Sequence, residues 1–281
     1  MLSILDFKKK YKNKIGHLDL DLILAHSLGK TREFVLTYPE KTVTSNQQSV
    51  ISKNIKRRIL HEPIAYITGH KEFYGLDFSV NNKTLVPRPE TELLIEEILK
   101  LNPKNNIIAD IGTGSGNIII SLAKNIHNKN IYFGIDISKE ALKIARKNAK
   151  KHGLYKKINF LHGNLLSPFL KTKLKIQKLT IVANLPYLDI GWKNLLKSSE
   201  TKGLKFEPRI ALYAGEDGLD AYRKFAKQIK LLNKNKKNNI TVFCEIGHLQ
   251  VSGMRKIFSF AKNITFLKDL AGKWRICKIE L

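Results

Sequence analysis

Three short stretches of the chain combine residue types that could do chemistry. "ADIGTGSGN" places glycines at 112, 114 and 116 directly after an apolar run and before a helical one. Glycine lets a backbone pass close beneath a ligand and adopt positive φ, and a glycine-rich turn between strand and helix is where doubly wound sheets bind nucleotides. The spacing through Gly112, Thr113, Gly114, Ser115 and Gly116 is not the dinucleotide G-x-G-x-x-G, and it lacks the Lys-Ser/Thr of a phosphate-binding loop. Asp136 ends the next apolar run, twenty residues beyond Gly116, where a carboxylate can accept both ribose hydroxyls of an adenosine. An adenosine site without a pyrophosphate site suits S-adenosylmethionine. Alone, the glycines read equally well as a tight turn; with Asp136 and a third strand end they define a candidate cofactor site, and Asn164-Leu165, after the run "INFL", would border the adenine.

The third stretch is "IVANLPYLDI", residues 181–190, in which Asn184, Leu185, Pro186 and Tyr187 interrupt an apolar run. Methyl transfer from a sulfonium is an in-line displacement, so an enzyme must mainly hold a nucleophile about 3–3.5 Å from the methyl carbon and aligned with it. If the nucleophile is a planar NH₂, the Asn184 side-chain carbonyl and the main-chain carbonyl of Leu185 can accept its two hydrogens and favour the pyramidal nitrogen of the transition state. Pro186 would stiffen that carbonyl through its fixed φ, and Tyr187 could stack on the planar group. The plainer alternative is a polar corner in which Asn turns the chain and Pro stops the strand.

Alternating elements must deliver these residues. Runs at 107–111, 131–136, 158–161, 179–184, 240–246 and 274–281 read as strands, several apolar throughout, as in a parallel sheet covered on both faces. Helical periodicity separates most of them, clearest in "KEALKIARKNAKKHG" and "GLDAYRKFAKQIKLL". The expected fold is therefore α/β and doubly wound. In the tail, "ITFLKDLAGKWRICKIEL" has a turn at Ala271-Gly272 and no room for a helix between its two strands, so the last strand should enter antiparallel. Residues 1–62 carry helical spacing punctuated by Gly29 and Pro39 and predict three to five short helices. Residues 66–86 alternate around Gly69, Gly75 and Asn81-Asn82 as a β-hairpin, and "PRPETELLIEEIL" opens a helix with Pro89 in its first turn, which puts the domain boundary near 85–90.

Composition bounds the function. Fifty Lys and Arg against 24 acidic residues leave a formal charge of +26, which favours anionic partners such as RNA or an acidic protein surface. Lys and Asn recur throughout, however, as in "NKNKKNN" at 233–239, which fits a solvated lysine-rich surface better than one basic patch. No apolar stretch approaches the ~20 residues of a membrane span, and the N-terminus lacks a signal-peptide core, so the expectation is a soluble, cytoplasmic protein. Cys244 and Cys277 are far apart in sequence and read as buried free thiols. No H-E-x-x-H or clustered Cys/His motif appears, so no metal site is expected.

"EPIAYITGHKEFYGLDFSVNNKTLVPRPETELLIEEIL", "ADIGTGSGNIIISLA", "GIDISKEALKIARKNA", "NLPY", "FEPRIALYAGEDGLDAYRKF", "EIGHLQ" and "KDLAGKWRI" together resemble the peptide chain release factor glutamine N5-methyltransferases, the HemK/PrmC family, over roughly residues 60–281. The resemblance implies a Rossmann-like class I methyltransferase sheet joined by a hairpin to a small N-terminal helical bundle. It divides the chain into a release-factor-binding domain at 1–65, a hairpin linker at 66–88 and a catalytic domain at 89–281. It implies transfer from S-adenosylmethionine to the glutamine amide of the Gly-Gly-Gln motif in class I release factors. Gly112 to Gly116, Asp136 and Leu165 would bind the cofactor, and Asn184 to Tyr187 would hold the glutamine. Arg88, Glu90 and Thr91 would lie on the cofactor side of the site. Glu207 and Arg209 would support the loop after the corner or form a structural ion pair. The expected protein is a monomer that needs no nucleic acid, although its basic surface allows weak binding.

One departure stands out: the family corner is Asn-Pro-Pro-Tyr, and here position 185 is Leu. Asn-Leu-Pro-Tyr is the form seen in ribosomal RNA adenine dimethyltransferases, so N6-adenine methylation is the rival reading. Those enzymes carry their helical segment C-terminally and lack "PRPETE" and "EPRIAL". A third possibility is an inactive S-adenosylmethionine-binding protein associated with RNA or the ribosome.

Overall fold

The N-terminal helices begin and end where local side chains satisfy the backbone. A computed structural model describes residues 2–171, 177–189, 191, 199–234 and 239–281. Helices α1 (Ile4–Tyr11), α2 (His17–Leu28), α3 (Arg32–Thr37), α4 (Ser45–Ile59) and α5 (Ile64–Thr68) belong to a first unit, residues up to 70 together with 199–206. Ser3 with Asp6 and Thr44 with Gln47 form capping boxes for α1 and α4, and Gly29, at φ 62°, closes α2 in the left-handed conformation. Phe7, Leu20, Ile23, Leu24, Val35, Ile51 and Ile55 make this unit's own core.

The second unit covers residues 71–195 and 207–281, apart from the undescribed positions. Its hairpin pairs β1 (His70–Phe73) with β2 (Leu76–Ser79) across Tyr74 and Gly75, both at positive φ, the twist that a two-residue hairpin turn requires. The hairpin is shorter than the sequence predicts. Residues 66–68 complete α5, which Gly69 stops at φ 80°. Nor is the hairpin a linker ending at 88. Phe73 and Phe78 are buried in the same cluster as Leu94, Ile98 and Ile119, and Asn148 bonds both backbone groups of Ser79. The division near residue 70, rather than at 85–90, follows from that burial.

The remaining elements alternate: α6 (Glu92–Leu101), β3 (Asn106–Ile111), α7 (Asn117–Asn125), β4 (Asn130–Asp136), α8 (Lys139–Lys151), β5 (Ile158–His162), α9 (Ser167–Lys171), β6 (Lys178–Ala183), α10 (Ser199–Lys202, in the first unit), α11 (Asp220–Leu232), β7 (Asn239–Glu245), α12 (Val251–Ile257), β8 (Asn263–Lys268) and β9 (Trp274–Glu280). Pro89 sits in a 3₁₀ turn, Pro89–Thr91, that leads into α6. The seven-stranded sheet runs β5-β4-β3-β6-β7-β9-β8. β3 to β7 are mutually parallel, and β9 enters antiparallel between β7 and β8 because only a tight turn joins it to β8. Ile107, Ala109 and Ile111 face one apolar cluster and Ile108 the other, so both faces of the sheet are buried. At roughly 1.5–3 kcal/mol for each fully buried aliphatic side chain, these two layers rather than strand propensity hold the sheet. Cys244 and Cys277 are free, buried and opposite one another in the β7–β9 register. Among the described residues no helix is long and apolar enough to cross a membrane.

Candidate active site

Strand order fixes where a ligand can sit. The crossover through α7 carries the chain from β3 to β4 on one side, whereas β6 pairs with β3 on the other, so the sheet's order reverses at the carboxyl ends of β3 and β6. A crevice opens outside such a reversal. Here a cleft of about 650 Å³ is lined by Gly112–Ser115, Asp136, Asn164, Leu165, Asn184, Leu185 and Pro186, a size suited to a small-molecule cofactor.

The glycine loop is built for close approach. Gly112, Gly114 and Gly116 have φ of 75°, 55° and 80°. A Cβ on Gly116 would lie 2.9 Å from Ile120 Cδ1 and 3.2 Å from Ala145 Cβ, so a side chain there would force α7 and α8 to shift. Gly112 and Thr113 donate to the Ile135 carbonyl at 2.8 and 3.0 Å, and Asn148 donates to the Ser115 carbonyl at 2.8 Å. Gly114 N–H donates to Asp136 Oδ2 at 2.9 Å, and Ser138 N–H to Oδ1 at 2.8 Å. Each Asp136 oxygen thus keeps one lone pair, enough between them for two hydroxyls. Burial raises the Asp136 pKa above the ordinary carboxylate range, against three backbone donors that lower it. Beneath the loop, Asp110 is fully buried and accepts the Thr113 hydroxyl at 2.6 Å; burial pushes its carboxyl up to about 7.

After β5, Leu165 holds a left-handed backbone at φ 54° in the cleft lining. Gln228, from α11, supports it by accepting from Leu166 N–H at 2.6 Å and donating to the Asn164 carbonyl at 3.4 Å. The glycine cradle, the two-oxygen acceptor Asp136 and this corner fit S-adenosylmethionine.

β6 delivers Asn184 beside Gly112, whose Cβ position lies 3.9 Å from the Asn184 carbonyl. Asn184 Nδ2 donates to Thr91 Oγ1 at 3.1 Å and to Glu245 Oε2 at 3.0 Å. Thr91 Oγ1 donates to the same carboxylate oxygen at 2.6 Å, and Tyr187 O–H donates to Oε1 at 3.1 Å. Thr91 and Glu245 both take the NH₂ end of the Asn184 amide, and the residue lines the cleft. Leu185 is only 3 % exposed and joins the β-sheet core. Gln250 donates to the Tyr187 carbonyl at 3.0 Å, and Gly218, at φ 72°, passes so close that a Cβ would lie 2.2 Å from that oxygen.

Several sequence-predicted residues occupy places other than those expected. Tyr187 is absent from the cleft lining: its ring packs on the core and its hydroxyl on Glu245, so it is not placed to stack on a planar group, whereas Tyr213 does line the cleft. Burial and the Glu245 charge raise the Tyr187 pKa further above the usual phenol range. Glu207 is buried and bonds Val86 N–H at 3.0 Å and the Arg88 guanidinium, an ion pair that ties 86–88 to the loop after the corner. Arg209 takes no part in it; it is exposed, 6.0 Å from the Tyr213 ring centroid. Glu90 is exposed and outside the lining, while Arg88 and Thr91 line the cleft. The sequence motifs do not point to Glu245, Gln250 or Gln228 as site residues. One signal existed for Glu245, a carboxylate ending the otherwise apolar run "TVFCE".

Residues 9–69 match the family described as PrmC N-terminal domain, and residues 101–191 the family described as Methyltransferase domain. The release factor glutamine methyltransferase of Coxiella burnetii (strain RSA 493 / Nine Mile phase I) is 37% identical over 290 residues, covering 98% of each chain. The bifunctional methyltransferase of Rickettsia bellii (strain RML369-C) is 34% identical over 291 residues; the match takes in 91% of this chain and 50% of that relative, so the chain spans about half its length. Among solved structures, the hMettl16 catalytic domain in complex with MAT2A 3'UTR hairpin 6 aligns with a TM-score of 0.57 at 15% identity, covering 79% of this chain and 80% of that one, which is a likeness of fold. Taken with the glycine cradle and the Asn184 corner, these matches show that the chain belongs to the release factor glutamine methyltransferase family, whose members depend on S-adenosylmethionine.

Proposed function

We propose that the protein methylates the side-chain amide nitrogen of the glutamine in the Gly-Gly-Gln motif of class I peptide chain release factors. The observation that carries this reading is the Asn184 amide, whose NH₂ is engaged by Thr91 and Glu245 while its carbonyl is left for the cleft beside the glycine loop. Bound S-adenosylmethionine supplies an electrophilic methyl group. Gly112 to Gly116 receive the cofactor, Asp136 accepts its ribose hydroxyls, and Asn164-Leu165 border its adenine. Asn184 Oδ1 and the Leu185 carbonyl accept the two hydrogens of the glutamine NH₂, which localises the nitrogen lone pair as the transition state needs. Pro186 stiffens the second acceptor. Tyr187 serves from behind, through Glu245. No strong base is required, because the amide proton becomes acidic as the nitrogen is alkylated and can pass to water.

Arg88 and Glu207 hold the cleft wall through their ion pair. The N-terminal helical unit would contribute release-factor recognition, and the working form would be a cytoplasmic monomer. Incubation with labelled cofactor, a purified release factor and small-subunit ribosomal RNA tests the substrate. Label is expected on the glutamine of the release factor; label on the RNA alone would replace this reading by N6-adenine methylation.

A further inference from the structure

Glu245 ends β7 with a carboxylate only 1 % exposed, and none of its hydrogen bonds among the described residues comes from a cation. Burial of a charge on this scale is costly unless donors surround it. The donors here are the Thr91 hydroxyl, the Asn184 amide and the Tyr187 hydroxyl, and Tyr222 O–H holds the Glu245 main-chain carbonyl. The turn before α6 and the corner after β6 thus converge on one side chain, while α11 holds the residue's main-chain carbonyl.

We propose that Glu245 is the positioning residue that decides which end of the Asn184 amide faces the substrate. The inference rests on the role given to Asn184 above. A primary amide has a donor end and an acceptor end of nearly equal size, so packing alone does not choose between them. Reversed, Asn184 would present NH₂ to a substrate NH₂, and the clamp would be lost. An ionised carboxylate can only accept. The single Thr91 hydroxyl proton goes to that carboxylate at 2.6 Å, so toward Asn184 the Thr91 oxygen is an acceptor too. Both groups behind Asn184 therefore demand its NH₂, and the reversed amide would forfeit two hydrogen bonds, one of them charge-assisted. That disfavours the reversed form by about a hundredfold or more. Tyr187 occupies the other carboxylate oxygen and keeps the plane of Glu245 turned toward Asn184.

Protonation would remove the discrimination, because a carboxylic acid can donate. Burial raises the Glu245 pKa, Thr91, Arg275 and Tyr187 lower it, and Glu90 raises it. An acid limb in kcat is therefore expected at a pH above that of an ordinary glutamate.

Glu245→Gln in the full-length protein tests the inference, since glutamine keeps the shape and adds a donor. Expected are a kcat lower by about 10²-fold on a release factor, a cofactor Kd within about twofold of wild type, and loss of the acid limb. The side-chain ¹H–¹⁵N doublet of Asn184, assigned by its disappearance in Asn184→Asp, should shift and lose about tenfold or more of its protection from solvent exchange. Thr91→Val should show a smaller loss of the same kind, and Thr91→Ser should restore it. An unchanged kcat and pH profile, or an unchanged doublet, in Glu245→Gln would overturn the inference. If wild type does not methylate the release factor, the substrate reading fails separately, and the doublet in Glu245→Gln still decides the orientation. Should Glu245→Gln not fold, the doublet in the Thr91→Val and Thr91→Ser pair decides it instead.

Discussion

The proposed mechanism makes transfer depend on Asn184, and its substitution separates chemistry from cofactor binding. Asn184→Ala removes one of two acceptors for the amide and should lower kcat by at least about 10²-fold, while calorimetry finds cofactor affinity largely unchanged, because Asp136 and the glycine loop are untouched. Retained turnover would contradict the role. Leu185 is a different matter. Its side chain lies in the core, and its contribution to the clamp is a main-chain carbonyl that proline also provides. Leu185→Pro should therefore keep kcat within about threefold but cost about 1–3 kcal/mol of stability through lost burial, seen as a lower urea midpoint. A large loss of kcat would make Leu185 a specificity residue. The polar corner and Asp136 were legible in the sequence because Asn, Pro, Tyr and a strand-ending Asp have few reasons to interrupt apolar runs. Glu245 was not, because its meaning lies in what stands opposite it, from residues 91, 184 and 187.

At the level of elements, the turn between β3 and α7 carries the tightest constraint. Gly116→Ala would place a methyl group against Ile120 and Ala145 and force a positive φ on a residue that resists it. The expected result is a loss of about 1–3 kcal/mol in stability, measured by denaturant titration, and cofactor affinity weakened by about tenfold or more as the loop shifts. Strand positions were readable from apolar runs, and the antiparallel β9 from the lack of room for a helix before it. The hairpin differs from the sequence expectation in both extent and allegiance. Alternation over 66–86 does not reveal that 66–68 satisfy their backbone as a helix, and a linker and a packed hairpin carry the same pattern until Phe73 and Phe78 find a core.

For the whole molecule, buried carboxyls beneath the site shape the response to pH. The folded chain keeps the Asp110 proton up to about pH 7, whereas an unfolded chain releases it near pH 4. The folded state therefore holds more protons in that window, so the Asp110 contribution is complete below it and is lost as pH rises through it. Urea titrations at about pH 5 and about pH 8 should show wild type losing stability relative to Asp110→Asn, on the order of a few kcal/mol across the window. Parallel curves for the two proteins would place the Asp110 proton elsewhere. The lysine-rich composition has no such focus: ion pairs such as Lys100 with Glu97 and Lys143 with Glu140 lie exposed along helices, where each contributes little.

By itself the sequence determined the class of fold, the three strand ends that line one cleft, and the family, because periodicity and short motifs are local properties. Tertiary structure decided which groups stand behind those motifs. The pairing of Glu207 with Arg88 rather than Arg209, the withdrawal of Tyr187 from the cleft and the convergence on Glu245 all join residues 58 or more positions apart. Hydrogen-bond direction and burial depend on what faces a group in space, and only folding brings those partners within hydrogen-bonding distance of one another.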